Sequence, residues 1–226
     1  MRSAAPPAPS FMRRRRGFTL TEMAVVLAIL ALLIGGMILP LSAQQDLRLT
    51  AETRKLLADV GDALYGFAAS HSANDGKPYL PCPDTDGDGA ENRSATPGPC
   101  TSQEGALPWA TLGLGRQDAW GNALRYRVTA AFSNSSTGFT LLTAGDLRVC
   151  ESSACTVVLG SALPAIVLSP GKNGAGVPSH VDEPENLDAD ADFVQQTGST
   201  TGFDDLLVWL PPSLLTQRMV AAGRLP

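Results

Sequence analysis

Residues Met23–Leu39 carry no charge and are almost all apolar, and they follow directly on Arg13-Arg14-Arg15-Arg16-Gly17-Phe18-Thr19-Leu20-Thr21-Glu22. Counted from Phe18, the apolar run reaches about 20 residues, enough to cross a bilayer as a helix. A cleavable secretory signal is shorter and ends in a small-residue site. Here the only candidate after the run is Leu41-Ser42-Ala43-Gln44, which fits poorly. The arginines precede the span, so the positive-inside rule puts the N-terminus in the cytoplasm and the rest of the chain outside. Glu22 is the exception within the run. A carboxylate at the edge of a membrane helix is costly unless it is paired or used. Taken alone it is a helix-start acid, favoured by the helix dipole and sitting at headgroup depth.

This stretch resembles the processing signal of type IV pilins and of the pseudopilins of type II secretion systems. The likeness lies in a basic leader, Gly17 at the cut, Phe18 as the new first residue and Glu22 as the fifth mature residue. It covers roughly residues 13–40. It implies removal of residues 1–17 by a prepilin peptidase and N-methylation of Phe18. Glycine at the cut suits a peptidase that must approach the backbone closely. The cut would free an amine on Phe18, four residues before Glu22 and on the same face of a helix starting there. The amine of one subunit would then neutralise Glu22 of a neighbour inside a helical bundle.

The remainder is a different kind of chain. Five of the 17 basic residues and none of the 22 acidic ones lie in residues 1–17, which leaves 12 basic against 22 acidic beyond them. So acidic a domain is a poor nucleic-acid binder. Aromatic residues make up only 6% of the chain, so the core must be aliphatic. Four cysteines, Cys82, Cys100, Cys150 and Cys155, all fall on the outer side, where an even count reads as two disulfides. Three connectivities are open; Cys82–Cys100 and Cys150–Cys155 are favoured because each pair is local and brackets a polar loop. A zinc site is the alternative, but there is no Cys-x-x-Cys and the two histidines are far apart.

Residues 1–12 are rich in Pro, Ala and Ser, a composition of disordered chain. A helix is expected from Phe18 to about Ala69, with 18–42 as the membrane and assembly segment and 43–76 as an amphipathic continuation. Gly35, Gly36 and Pro40 interrupt the first half, and Pro40 either kinks the helix or marks its outer end. Leu49, Leu56, Val60, Leu64 and Phe67 form an apolar stripe on the second half. One helix of that length would reach about 80 Å, a rod that suits a filament better than a globule. Asn74-Asp75-Gly76 and Pro78 end it.

Residues 77–226 form the expected disulfide-containing outer domain. Asp84, Asp86, Asp88 and Gly89 match the first half of an EF-hand calcium loop, but the twelfth position is Ala95 where a bidentate Glu is required. Glu91 would serve only in another geometry, and the plain alternative is a polar loop closed by Cys82–Cys100. A similar Pro-Cys-Pro-Asp-x-Asp-Gly-Asp-Gly run occurs in some pseudopilin-like proteins. Asp118-Ala119-Trp120-Gly121-Asn122 resembles the turn that leads into the first strand of major pseudopilins, and Trp120 reads as a core plug. Strands are expected at 123–130, 138–143, 155–159, 164–169 and 205–210. The Gly-rich and Asp-rich stretch 170–204 resembles the loop that binds calcium in major pseudopilins, although it is longer and differently spaced. The resemblance makes Asp188, Asp190 and Asp192 candidate calcium ligands. Solvated loop carboxylates are the alternative.

Catalysis finds no support. The chain has no Gly-x-Ser-x-Gly, no His-Glu-x-x-His and no dinucleotide-binding fingerprint, and Gly171–Gly176 lacks the Gly-Lys-Ser/Thr of a phosphate loop. His71 and His180 have no Cys or Ser partner at a recognisable spacing. The expectation is therefore an α+β, pilin-like subunit: a long N-terminal membrane-spanning helix packed on an antiparallel sheet of four to five strands. Its partners would be the prepilin peptidase, other pilin or pseudopilin subunits and the bacterial inner membrane. Its outer domain would be periplasmic, or carried into a filament. Two alternatives stand beside it: a minor subunit acting as a tip or binding module for adhesion, DNA uptake or secreted substrate, and a plain single-pass anchored periplasmic protein.

Overall fold

The computed structural model describes residues 17–174, 176, 178–196 and 202–226, and the backbone alone for residues 35–41. Arg13–Arg16 lie outside the described residues. The chain divides into two units, Met1–Asp46 and Leu47–Pro226.

The first unit is the beginning of helix α1 (Leu20–Ser70). Its backbone is helical through Gly35, Gly36 and Pro40, so Pro40 does not end the helix. The apolar side chains from Phe18 to Ile34 are exposed, Leu20 by 88% and Leu32 by 78%. Among the described residues no helix is long and apolar enough to cross a membrane. Side chains are described from 17 to 34 and again from 42, so the segment 18–42 is described only in part.

In the second unit α1 buries Thr53, Leu57, Val60, Leu64, Tyr65, Phe67 and Ala68. Leu49 and Leu56, expected on this face, are only half-buried. The stripe instead runs through Thr53 and Leu57, one helical position round, and Thr53 Oγ1 accepts a hydrogen bond from Ala119 N at 3.2 Å. The face packs on a four-stranded antiparallel sheet made of β1 (Glu104–Ala106), β2 (Arg125–Val128), β5 (Ala165–Ser169) and β7 (Leu206–Trp209), in the order β1-β2-β5-β7. Leu57, Val60, Leu64 and Ala68 meet Leu124, Tyr126, Val128, Ala165 and Val167 there. Leu215 and Met219 of the C-terminal helix (Pro212–Ala221) close the same core.

Strand β5 is buried at every position because both of its faces are covered. Ala165 and Val167 face α1, while Ile166 and Leu168 join Leu147, Val149, Leu163, Phe193 and Leu207 in a second apolar cluster. That cluster is built by a three-stranded sheet of β3 (Leu147–Cys150), β4 (Val158–Leu163) and β6 (Asp192–Val194). β3 pairs antiparallel with β4 but parallel with β6, a pairing outside the purely antiparallel expectation. The expected strands 123–130, 164–169 and 205–210 contain β2, β5 and β7. The expected strand at 155–159 moves to Val158–Leu163. No strand forms at 138–143. There Phe139 is buried against Phe132, and a Thr140–Thr143 turn closed by its own hydroxyls lifts Leu142 to 94% exposure.

Candidate functional site

Gly17, Phe18 and Thr19 have no regular structure, and the helix begins at Leu20 rather than Phe18. The cause lies in the side chains. Glu22 N donates to Thr19 Oγ1 at 3.2 Å, and Glu22 Oε2 accepts from both Thr19 N and Thr19 Oγ1 at 2.8 Å. This is a reciprocal capping box, in which the cap residue and the third helical residue satisfy each other's backbone donors. Phe18 therefore precedes the cap and does not share a helical face with Glu22. The sequence carries the signal for this cap as Thr-x-x-Glu ahead of an apolar run.

The loop Asp84–Gly89 is organised around Asp84, which is 2% exposed. Its Oδ1 accepts from Asp86 N and Gly87 N, and its Oδ2 from Gly89 N at 2.8 Å. Burial pushes this carboxyl up, but the backbone donors outweigh burial and hold it below the usual carboxylate range. Gly89 has φ +86°, and a side chain there would strike the Trp109 indole. Oxygen atoms of Asp84, Asp86 and Asp88 lie within 4.8 Å of one another. The rest of a calcium loop is missing. Glu91 is held by Arg93 at 2.7 Å and by Cys82 N at 2.9 Å, and Ala95 offers no ligand. Asp84, Asp86 and Asp88 are thus a three-carboxylate group that could hold a metal ion, outside the standard EF-hand pattern. The loop is closed by its own hydrogen bonds.

In the second acidic stretch the expected trio does not assemble. Asp192 is paired with Arg148, Nε to Oδ1 at 2.7 Å, because the β3–β6 register sets the two residues side by side. Glu185 takes its place, and one oxygen each of Glu185, Asp188 and Asp190 lies within 4.8 Å of the others. Burial, then Asp188 and Asp190, push the Glu185 carboxyl up. Three carboxylates set this close together suit a hard cation, as do those of the Asp84 loop.

Beneath them lies a group that the sequence reading missed. Glu183 is 3% exposed and accepts from Asn173 Nδ2, Ser179 N and Oγ, His180 N and Asp204 N. Asn186, 1% exposed, donates to Val194 O and to Asp205 Oδ2 and accepts from Val194 N, which ties β6 to the start of β7. Asp204 Oδ1 is buried without a hydrogen-bond partner. Nothing in local spacing marks these residues; they meet only because β5, β6 and β7 bring the ends of one loop together.

Asp118 is a structural hub. Its Oδ1 accepts from Trp120 N and Asn122 N, its Oδ2 from Ser169 Oγ at 2.6 Å, and Asn122 Nδ2 reaches Gly171 O. The turn thus joins the end of β5 to the loop that follows it. Trp120 is not a core plug. It is half-buried and outside every apolar cluster, because its turn sits at the rim and Leu124 and Tyr126 enter the core instead. Asp118→Asn keeps an acceptor for the two backbone donors but weakens three charge-assisted bonds. It is expected to cost about 1–2 kcal/mol of unfolding free energy, read by urea titration.

Cys82 is bonded to Cys100 and Cys150 to Cys155. The Cys150–Cys155 loop is held by Asp182, whose Oδ1 accepts from Ser153 N and Oγ. His71 stacks on Phe67, and His180 lies 3.7 Å from Asp182.

No curated protein and no solved structure matches the chain. Residues 12–38 match the model of the prokaryotic N-terminal methylation motif, so the chain opens with the processing signal of type IV pilins and pseudopilins.

Proposed function

We propose that the chain is a prepilin-like structural subunit, cut after Gly17, methylated on Phe18 and assembled through its N-terminal helix into a type IV pilus or a type II secretion pseudopilus. The observation that carries this reading is the methylation motif over 12–38 at the head of a helix whose apolar side chains stand exposed from Leu20 to Ile34. Such a surface needs lipid or other helices around it. Phe18–Ser42 is the membrane segment, with the leader in the cytoplasm and the second unit in the periplasm, a compartment that permits the two disulfides. The prepilin peptidase, sister subunits and the inner membrane are its partners. Calcium is held by Asp84, Asp86 and Asp88 or by Glu185, Asp188 and Asp190, the two carboxylate groups that could take a metal ion.

The test is the mass of the chain extracted from membranes. A new N-terminus at N-methylated Phe18 is expected. A chain that keeps residues 1–17 would reduce it to a simple membrane anchor and overturn the reading.

A further inference from the structure

Between α1 and the start of β7 the second unit leaves a cavity of about 240 Å³. Arg54 and Leu57 line it from α1, Gln195 from the chain after β6, and Asp205 and Leu207 from the start of β7. A cavity of about 150 Å³ in a protein core already takes up benzene, so this one has room for roughly six to eight non-hydrogen atoms.

Its polar groups lack partners. Asp205 is 6% exposed. Its Oδ2 accepts from Asn186 Nδ2 at 2.8 Å, and its Oδ1 has no hydrogen-bond partner among the described residues. No cation is paired with it, since Arg125 is bonded to Glu104 instead. Gln195 Oε1 is buried without a partner as well. Buried acceptors left in this state are costly until a donor reaches them. Arg54 stands exposed at the rim, and among the described residues no ion pair or hydrogen bond engages it. Leu57 and Leu207 make part of the wall apolar.

Water would supply donors for the acceptors but leaves Arg54 and the apolar wall unused. A simple anion meets Asp205, with Glu183 and Asp204 close behind it. A simple cation meets Arg54. A zwitterion with an aliphatic group suits the acid, the arginine and the wall together.

We propose that this cavity binds a small aliphatic α-amino acid, such as alanine or valine. Its ammonium sits on Asp205 Oδ1, its carboxylate on Arg54 and its side chain against Leu57 and Leu207. The site does not depend on the assembly reading. The charged groups around Asp205 are Arg54 from α1, Arg125 from β2, and Glu183 and Asp204 from the loop before β7. Among them Asp205 has its pKa pushed up to about 7, mainly by burial. An ammonium pairs with the carboxylate and not with the protonated acid, so affinity rises with pH and levels off above 7.

Calorimetric titration of the full chain in detergent tests the proposal. Alanine at up to about 10 mM is expected to bind. It should bind roughly 10- to 100-fold more tightly at pH 8 than at pH 5. Ethylamine lacks the carboxylate and propionate lacks the ammonium; each is expected to bind at least about ten-fold more weakly. Asp205→Asn should abolish binding while the chain stays folded by its urea curve. Arg54→Gln, an exposed change, should bring alanine down to the level of ethylamine. Alanine binding that survives Asp205→Asn, or propionate binding as tightly as alanine, would overturn the proposal. So would the absence of any binding of alanine or valine at pH 8.

Discussion

Glu22→Gln and Glu22→Val are both expected to leave filaments undetectable by shearing and immunoblot, although they differ in what they do to the helix. Glutamine can still close the capping box with Thr19, because its amide oxygen accepts from Thr19 N as the carboxylate does. Valine cannot, and it frays the first turn by about 1 kcal/mol. If the work of Glu22 were only to start the helix, glutamine would preserve assembly and valine would weaken it. In the proposed filament the carboxylate instead neutralises the amine of a neighbouring Phe18 in a medium of low dielectric. Removing one partner of such a pair leaves the other charge uncompensated, at a cost of about 3–5 kcal/mol for each contact. That corresponds to roughly a 10²- to 10³-fold or greater loss in association, repeated at every subunit added. Filaments from Glu22→Gln at normal yield would sink the charge-pairing role and leave the cap as the function of this residue.

The capping box also places a demand on assembly. In the isolated chain the carboxylate of Glu22 is already engaged with Thr19 through Oε2. A neighbour's amine must therefore share that carboxylate through Oε1 or displace Thr19 from it.

What could be read in the sequence divides along a physical line. The N-terminal segment is a local code: basic leader, glycine, apolar run and one acid are adjacent in the chain, and the matching motif falls on the same residues. Helix α1 was legible nearly to its end at Ser70 because the turn residues Asn74-Asp75-Gly76 follow shortly after it, and β5 and β7 because they are short apolar runs. β1 and β6, of three residues each, were not legible. Gly105 in β1 is there because a side chain would sit 2.4 Å from Asp84 O, a contact between residues 21 apart. β6 pairs parallel to β3 and begins with an aspartate that belongs to Arg148. The same limit applied to the acidic stretch. Spacing alone grouped Asp188, Asp190 and Asp192, but the partner of Asp192 lies 44 residues away, so the group that forms is Glu185, Asp188 and Asp190. Glu183, Asn186 and Asp205 share no motif, and only the closed loop reveals them.

Asp205 carries the second large effect, one of pH. It is 6% exposed, and its pKa is pushed up to about 7. Burial is the main cause. The Asn186 amide and, more weakly, Arg125 pull it down, while Glu183 and Asp204 push it further up. The unfolded chain titrates this group near 3.8. Between those two values the folded state holds a proton that the unfolded state has released. Stability therefore falls as pH rises from about 4 through 7 and is flat above. The folded chain carries a penalty of roughly 4 kcal/mol at pH 8 that is almost absent at pH 4. Asp205→Asn keeps an acceptor for Asn186 Nδ2 and cannot ionise. It is expected to raise the unfolding free energy by about 2–3 kcal/mol at pH 8, to leave it unchanged near pH 4, and to flatten the slope between. Urea titrations at a series of pH values in chelator-containing buffer read all three. A substitution that destabilises the chain at pH 8, or leaves the slope intact, would show that the Asp205 carboxylate is stabilised by something other than a proton.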